Sequence, residues 1–113
     1  MGDLNKYREI VKEVLTRYTE GDYINGDIED VVVFDDINDR YLVMSVGWRH
    51  RPPGRVHDCI VHVDIIDGKL WVQGDNADVG LVRELEEAGV PSSDIVLGFQ
   101  APERRRLTDY TAA

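Results

Sequence analysis

Residues 56–73 leave this chain little freedom of architecture. Residues 56–66 alternate without a break. His57, Cys59, Val61, Val63 and Ile65 fall on one face of an extended segment, and Asp58, Ile60, His62, Asp64 and Ile66 on the other. Asp67-Gly68 follows, the dipeptide of a two-residue hairpin turn, whose central residues both need positive φ. Residues 69–73 then return as the partner strand, with Trp71 between Leu70 and Val72. A lone hairpin is marginal in water, so this one needs further strands or a helix to cover a face.

The preceding sequence supplies both. Residues 28–35 are valine-rich and read as a strand, residues 36–39 as a turn, and residues 40–48 as a second strand. Leu42, Met44, Val46 and Trp48 share one face of that strand, and Tyr41, Val43, Ser45 and Gly47 the other. Residues 49–55 contain Pro52-Pro53-Gly54 and read as an irregular break. Four strands joined by short connections predict an antiparallel four-stranded meander. In residues 3–19, Leu4, Tyr7, Val11, Val14, Leu15 and Tyr18 recur at steps of three or four, the stripe of an amphipathic helix. Asp3 is placed to cap it and Gly21 to end it. After the sheet, residues 75–78 read as a loop leading into a helix over 78–88, closed by Gly89 and Pro91. Ser92 or Ser93 is placed to cap one more helical turn before Ile95-Val96-Leu97. The expectation is a single α+β domain over residues 1–113: a four-stranded meander, an N-terminal helix and a second helix after the sheet. Trp48 and Trp71 belong on or near that sheet as anchors of core or interface.

Composition bounds the class. The 113 residues are 42% hydrophobic and 31% charged, proportions of a soluble globular protein. Apolar runs such as 31–34 and 95–97 are far too short to span a bilayer, and no membrane is expected. The first residues lack the apolar segment of a secretory signal, and Lys6 stands where myristoylation needs Ser or Thr. The one cysteine, Cys59, excludes an internal disulfide and suits a cytoplasmic protein. The net charge of −9 opposes non-specific binding to a phosphate backbone, and favours solubility or a basic protein partner.

Few residues offer chemistry. His57, Cys59, His62 and Asp64 crowd together, but strict alternation sends them to opposite faces in pairs, too few for a metal site. His62 and Asp64, two apart, can form an acid–base pair, yet no nucleophile accompanies them, and a polar pair on the sheet surface is the preferred reading. Cys59, beside Val61 and Val63, reads as a buried, inert thiol. Asp35, Asp36 and Asp39 lack the glycine and terminal glutamate of a calcium loop, and Gly68 and Gly74 cradle no phosphate. No cofactor motif and no enzyme signature emerge. Arginines gather twice: Arg49, Arg51 and Arg55 around the prolines, and Arg104, Arg105 and Arg106 near the C-terminus. Converging, they make an anion or partner contact; two separate solvated loops is the preferred reading. In the polar segment 100–113, Leu107 and Tyr110 are spaced to anchor an ordered tail with its arginines facing out.

An ordered set of motifs then stands out. Asp39-Arg40-Tyr41, Val46-Gly47-Trp48, Arg55-Val56-His57-Asp58-Cys59 and His62-Val63-Asp64-Ile65 occur in sequence, followed by Asp67-Gly68-Lys69-Leu70-Trp71-Val72-Gln73, and later by Gly89-Val90-Pro91 and Asp94-Ile95-Val96-Leu97-Gly98-Phe99. Together with Tyr7-Arg8 and Leu15…Tyr18 in the opening helix, this set resembles the XisI family over nearly the whole chain. The resemblance implies a cyanobacterial controlling factor in DNA rearrangement, serving excision of the fdxN element beside a XisH-like protein while a separate recombinase exchanges strands. It implies no catalytic residues and no cofactor. Two alternatives follow from the residues themselves: a DNA-contacting accessory factor using the arginine clusters, or a small enzyme or ligand-binding protein using His62 and Asp64. Self-association is left open.

Overall fold

The structure, a computed structural model, describes residues 2–21, 26–75 and 80–111, with Gly2 and Asp3 described by backbone alone. The N-terminal stripe forms α1 (Gly2–Arg17). It buries Tyr7, Ile10, Val11, Val14 and Leu15 and leaves Leu4 and Tyr18 partly covered. Gly21, at φ 104°, turns the chain after the helix as expected; the proposed cap by the Asp3 side chain lies outside the described residues.

Strands follow: β1 (Gly26–Asp35), β2 (Arg40–His50), β3 (Pro53–Ile66) and β4 (Lys69–Asp75). They make the expected antiparallel meander. The turn after β3 has both signature residues at positive φ, Asp67 at 52° and Gly68 at 77°. The prolines do not break the sheet over 49–55. Arg49 pairs with Gly54 and His50 with Pro53, so the turn shrinks to Arg51-Pro52. Pro52 occupies the turn and Pro53 opens a strand, two places where a missing N–H costs nothing. Near this same turn, a Cβ on Gly47 would stand 2.0 Å from the Asp27 carbonyl oxygen, so β1 and β2 close only around glycine there.

The expected four-stranded antiparallel sheet is incomplete. Ile95–Leu97 forms β5, which pairs with β4 in parallel, giving a five-stranded mixed sheet in the order β1-β2-β3-β4-β5. The crossover contains α2 (Leu81–Glu87), shorter than the predicted 78–88; residues 76–79, including the predicted Asp78 cap, lie outside the described residues. The Asp75 carboxylate accepts the Leu81 N–H at 3.3 Å. Gly89, at φ 112°, donates to the Glu86 carbonyl and ends the helix where the sequence placed it. Neither Ser92 nor Ser93 caps: Ser92–Asp94 is a 3₁₀ turn entered from Pro91 without a side-chain cap bond. A final short helix, α3 (Pro102–Arg105), lies in the tail.

One face of the sheet carries the core. Tyr41, Val43, Val61, Val63, Leu70, Val72 and Ile95 have no exposed area, and they pack with the α1 stripe and with Leu81 and Leu85 of α2. Each such side chain contributes about 1.5–3 kcal/mol of burial relative to exposure. The β1–β2 turn is clasped to α1 by charge. Arg8 makes a fork to Asp39, at 2.7 and 3.1 Å, and Lys12 reaches Asp36 at 3.1 Å. The Tyr41 hydroxyl lies 2.8 Å from Asp36 and 3.0 Å from Asp39.

Candidate functional site

The face opposite α1 and α2 holds His57, Cys59, His62, Asp64, Trp48 and Trp71. Two irregularities decide its membership. Val43 pairs with Val61 and Met44 with Cys59, so Ile60 is an extra residue in β3, a β-bulge. Alternation restarts there. His57 and Cys59 therefore do not share a face with Val61, Val63 and Ile65, as strict alternation required; they join His62 and Asp64 on the outer face. The Cys59 thiol is partly covered rather than buried, and desolvation pushes its pKa up, away from the reactive thiolate. A second bulge makes Gln73 the extra residue in β4, because His62 pairs with Gly74 and Val63 with Val72.

Bringing the four potential ligands to one face removes the alternation argument against a metal. Distance takes its place. His57 and His62 are five residues apart on an extended strand, about 15 Å. Among the described residues no three His, Cys, Asp or Glu side chains come close enough to hold an ion.

His62 and Asp64 do meet. His62 Nε2 is 2.8 Å from Asp64 Oδ1, and the Gln73 amide donates to Asp64 Oδ2 at 3.3 Å. The side chains are 30% and 14% exposed. The carboxylate thus has both oxygens engaged and fixes the imidazole. Such a pair can accept and hold a proton, but these bonds bring no nucleophile to it.

The two tryptophans also lie on this face, each under an arginine. The Arg55 guanidinium stands 5.2 Å from the centre of the Trp48 ring, and Arg105 stands 5.0 Å from that of Trp71. These stacks settle how the arginine clusters relate. Trp71 pairs with Asp64, and Arg55 lies nine residues away along β3, roughly 30 Å of strand. The clusters do not converge. Arg49, Arg51 and Arg55 are exposed around the tip of the β2–β3 hairpin, whereas Arg104 and Arg106 are exposed on the tail. No feature of the sequence pairs the tryptophans with these arginines; the register had to be known first.

Over its described part the tail packs on the domain with Arg104 and Arg106 outward, but Arg105, expected to face out, turns in onto Trp71 and donates to the Gln100 carbonyl. Thr111 bridges to Val96 of β5, and the Tyr110 hydroxyl bonds Glu86 of α2 while its ring packs on the core. That carboxylate raises the Tyr110 pKa to about 12. Leu107 departs from expectation. It is 85% exposed and anchors nothing, because Arg105 and Thr111 fix the segment with Leu107 outward. Phe99, just after β5, is 50% exposed.

The comparisons bear on this arrangement. A family model described as "XisI protein" matches residues 1–112. A XisI-like protein from Anabaena variabilis is 43% identical, superposes with a TM-score of 0.87, and aligns over 97% of this chain and 99% of its own. The fdxN element excision controlling factor XisI from the same organism is 31% identical, with a TM-score of 0.81 and coverage of 98% and 99%. No curated protein sequence matches.

Proposed function

This chain belongs to the XisI family, and from that premise we propose that it is a non-enzymatic, cytoplasmic controlling factor in excision of a DNA element, acting by binding a XisH-like protein. The observation that carries the binding reading is the tail. Phe99 and Leu107 are held out in water by a segment that is itself pinned at Arg105, Tyr110 and Thr111. Large apolar side chains presented from an anchored segment are what a protein interface uses. Arg104 and Arg106 beside them supply a cationic rim for an acidic partner surface.

Calorimetric titration of the purified chain against a purified XisH-like protein from the same host tests this. The wild-type chain binds, and Leu107→Asp with Phe99→Asp weakens binding at least about tenfold, the loss of one buried anchor. Failure of the wild-type chain to bind, or unchanged affinity in the variant, sinks the reading.

A second reading rests on the hairpin tip, where Arg49, Arg51 and Arg55 surround the half-exposed Trp48 on an otherwise acidic chain. Direct DNA contact through that tip would fall steeply with salt, with a slope set by the phosphates neutralised. Binding to the protein partner through the tail would not.

A further inference from the structure

The described residues leave the outer face over β1, β2 and β3 open, while Val96, on the β5 part of the same face, is fully buried at the tail. The open part has an ordered composition. Register places Asp27, Trp48 and Arg55 on one rung, Glu29, Val46 and His57 on the next but one, and Val31, Met44 and Cys59 two residues further on. Over these rungs, next to the β2–β3 turn, β1 carries acid at Asp27 and Glu29, β2 is apolar, and β3 carries Arg55 and His57; the rung Asp35, Arg40 and Asp64 at the other end does not continue the pattern. Trp48 is 57% exposed, and Val33 on the same face 48%. The Asp27 side chain is 90% exposed, with His50 Nε2 3.4 Å from its carboxylate.

We propose that a second copy of this chain docks on this face as a two-fold pair, with the symmetry axis running along β2 between the stacked sheets. Rotation about that axis exchanges β1 and β3 while preserving height along the strands. Asp27 of one copy then faces Arg55 of the other, and Glu29 faces the His57 imidazole N–H. Trp48, Val46 and Met44 meet their own counterparts on the axis. Aligned sheets pack about 10 Å apart, close enough for these side chains to interdigitate.

Sign order selects this occupant. A basic partner would be matched by acid across the whole face, and nucleic acid by base across it. At the end of the face bearing Asp27, Glu29, Arg55 and His57, acid and base flank an apolar middle and match their own image, which is the requirement of an isologous interface. The two contacts recur by symmetry, so each pair of signs is used twice. Local complementarity of this kind offsets the average repulsion between copies that each carry −9.

Sedimentation equilibrium of the full chain is the test, with circular dichroism confirming the fold of each variant. The expected species has twice the 12.9 kDa mass of one chain. Asp27→Arg and Arg55→Asp each weaken dimerisation at least about tenfold by placing like charges together. Combining them restores the wild-type constant to within about threefold, because the columns have only exchanged places. Loss of the Trp48 stack alone would leave the double variant as weak as Arg55→Asp. Should Arg55→Asp fold poorly, Glu29→Arg with His57→Glu provides the same cycle two rungs away. A monomer at every concentration, a dimer indifferent to the reversals, or a dimer that the paired reversal does not restore overturns the proposal. So does protection of this face by DNA or by a different protein while the chain stays monomeric.

Discussion

The two faces of the sheet use the same strands for different ends. On the helix side, Tyr41, Val43, Val61, Val63, Leu70 and Val72 are sealed from water by α1 and α2. On the outer side, Leu42, Met44 and Val46 are half-covered, and Trp48 and Val33 are more exposed still. Both faces are apolar along β2, so hydrophobicity alone does not say which is the core. The helices decide it, by bringing one matching stripe to one face. Over β1, β2 and β3 the described residues lay no helix on the outer face, and its apolar side chains are interleaved with Arg55, His57, His62 and Asp64. A face built for stability excludes such groups; a face that meets another molecule can use them.

The comparison is broken most directly by removing a leucine from each side. Leu15→Ala, at a site with no exposed area, leaves a cavity and costs about 2–5 kcal/mol. Leu42→Ala, on the outer face, lets water into the gap and costs about 1 kcal/mol or less. Urea unfolding of dilute protein measures both, and equal losses would mean that the two faces are equally part of the core.

The helix-side face is also where ionisation matters. The Arg8 guanidinium holds the Asp39 carboxyl below its usual range, and the bonds from Tyr41 and Lys12 do the same for Asp36. Burial pushes the Tyr41 hydroxyl up, so it stays a neutral donor. A carboxyl whose folded pKa is depressed adds stability above its unfolded pKa and loses it as pH falls through the folded value. The protein should therefore weaken below about pH 4, the ordinary carboxylate range. Asp39→Asn should flatten that acid limb. Tyr41→Phe removes the shared hydroxyl from a buried site and costs about 1–3 kcal/mol at neutral pH. Thermal melts between acid and neutral pH follow both, and an acid limb unchanged in Asp39→Asn would refute the clasp.

Legibility differed along the same lines. The α1 stripe, the Asp67-Gly68 turn and the Gly89 stop were readable because each is a local pattern with a local cause. The family resemblance was readable for the same reason, as an ordered string of short motifs. β5 was not, since three apolar residues after a turn carry no period and a parallel partner is chosen by the crossover. The bulge at Ile60 was invisible too. It absorbs one residue of mismatch between the register set at the Arg51-Pro52 turn and that set where Arg40 meets Asp64. Neither end reveals it alone, yet it moves His57 and Cys59 across the sheet. The separation of the two arginine clusters, the preferred reading of the sequence, follows from the same register; the tryptophan under each could not be read before it.

The smallest effect belongs to the pair that looked most like chemistry. Asp64 is held by His62 and Gln73, so removing it frees two donors, of which the imidazole at least is open to water. Water replaces part of what is lost, and Asp64→Ala should cost about 0.5–1.5 kcal/mol. His62→Ala should cost less, because the carboxylate keeps Gln73 and gains solvent. In a double-mutant cycle the coupling should stay within about 1 kcal/mol, the range of partly exposed ion pairs. Neither variant should change the affinity for a XisH-like protein, since both residues lie on the sheet while the proposed contact is on the tail. The excision assay in the host supplies the decisive readout. A His62→Ala chain that folds and binds its partner normally, yet abolishes excision, would show that the dyad acts on something, and would raise the enzyme or ligand reading above the binding one.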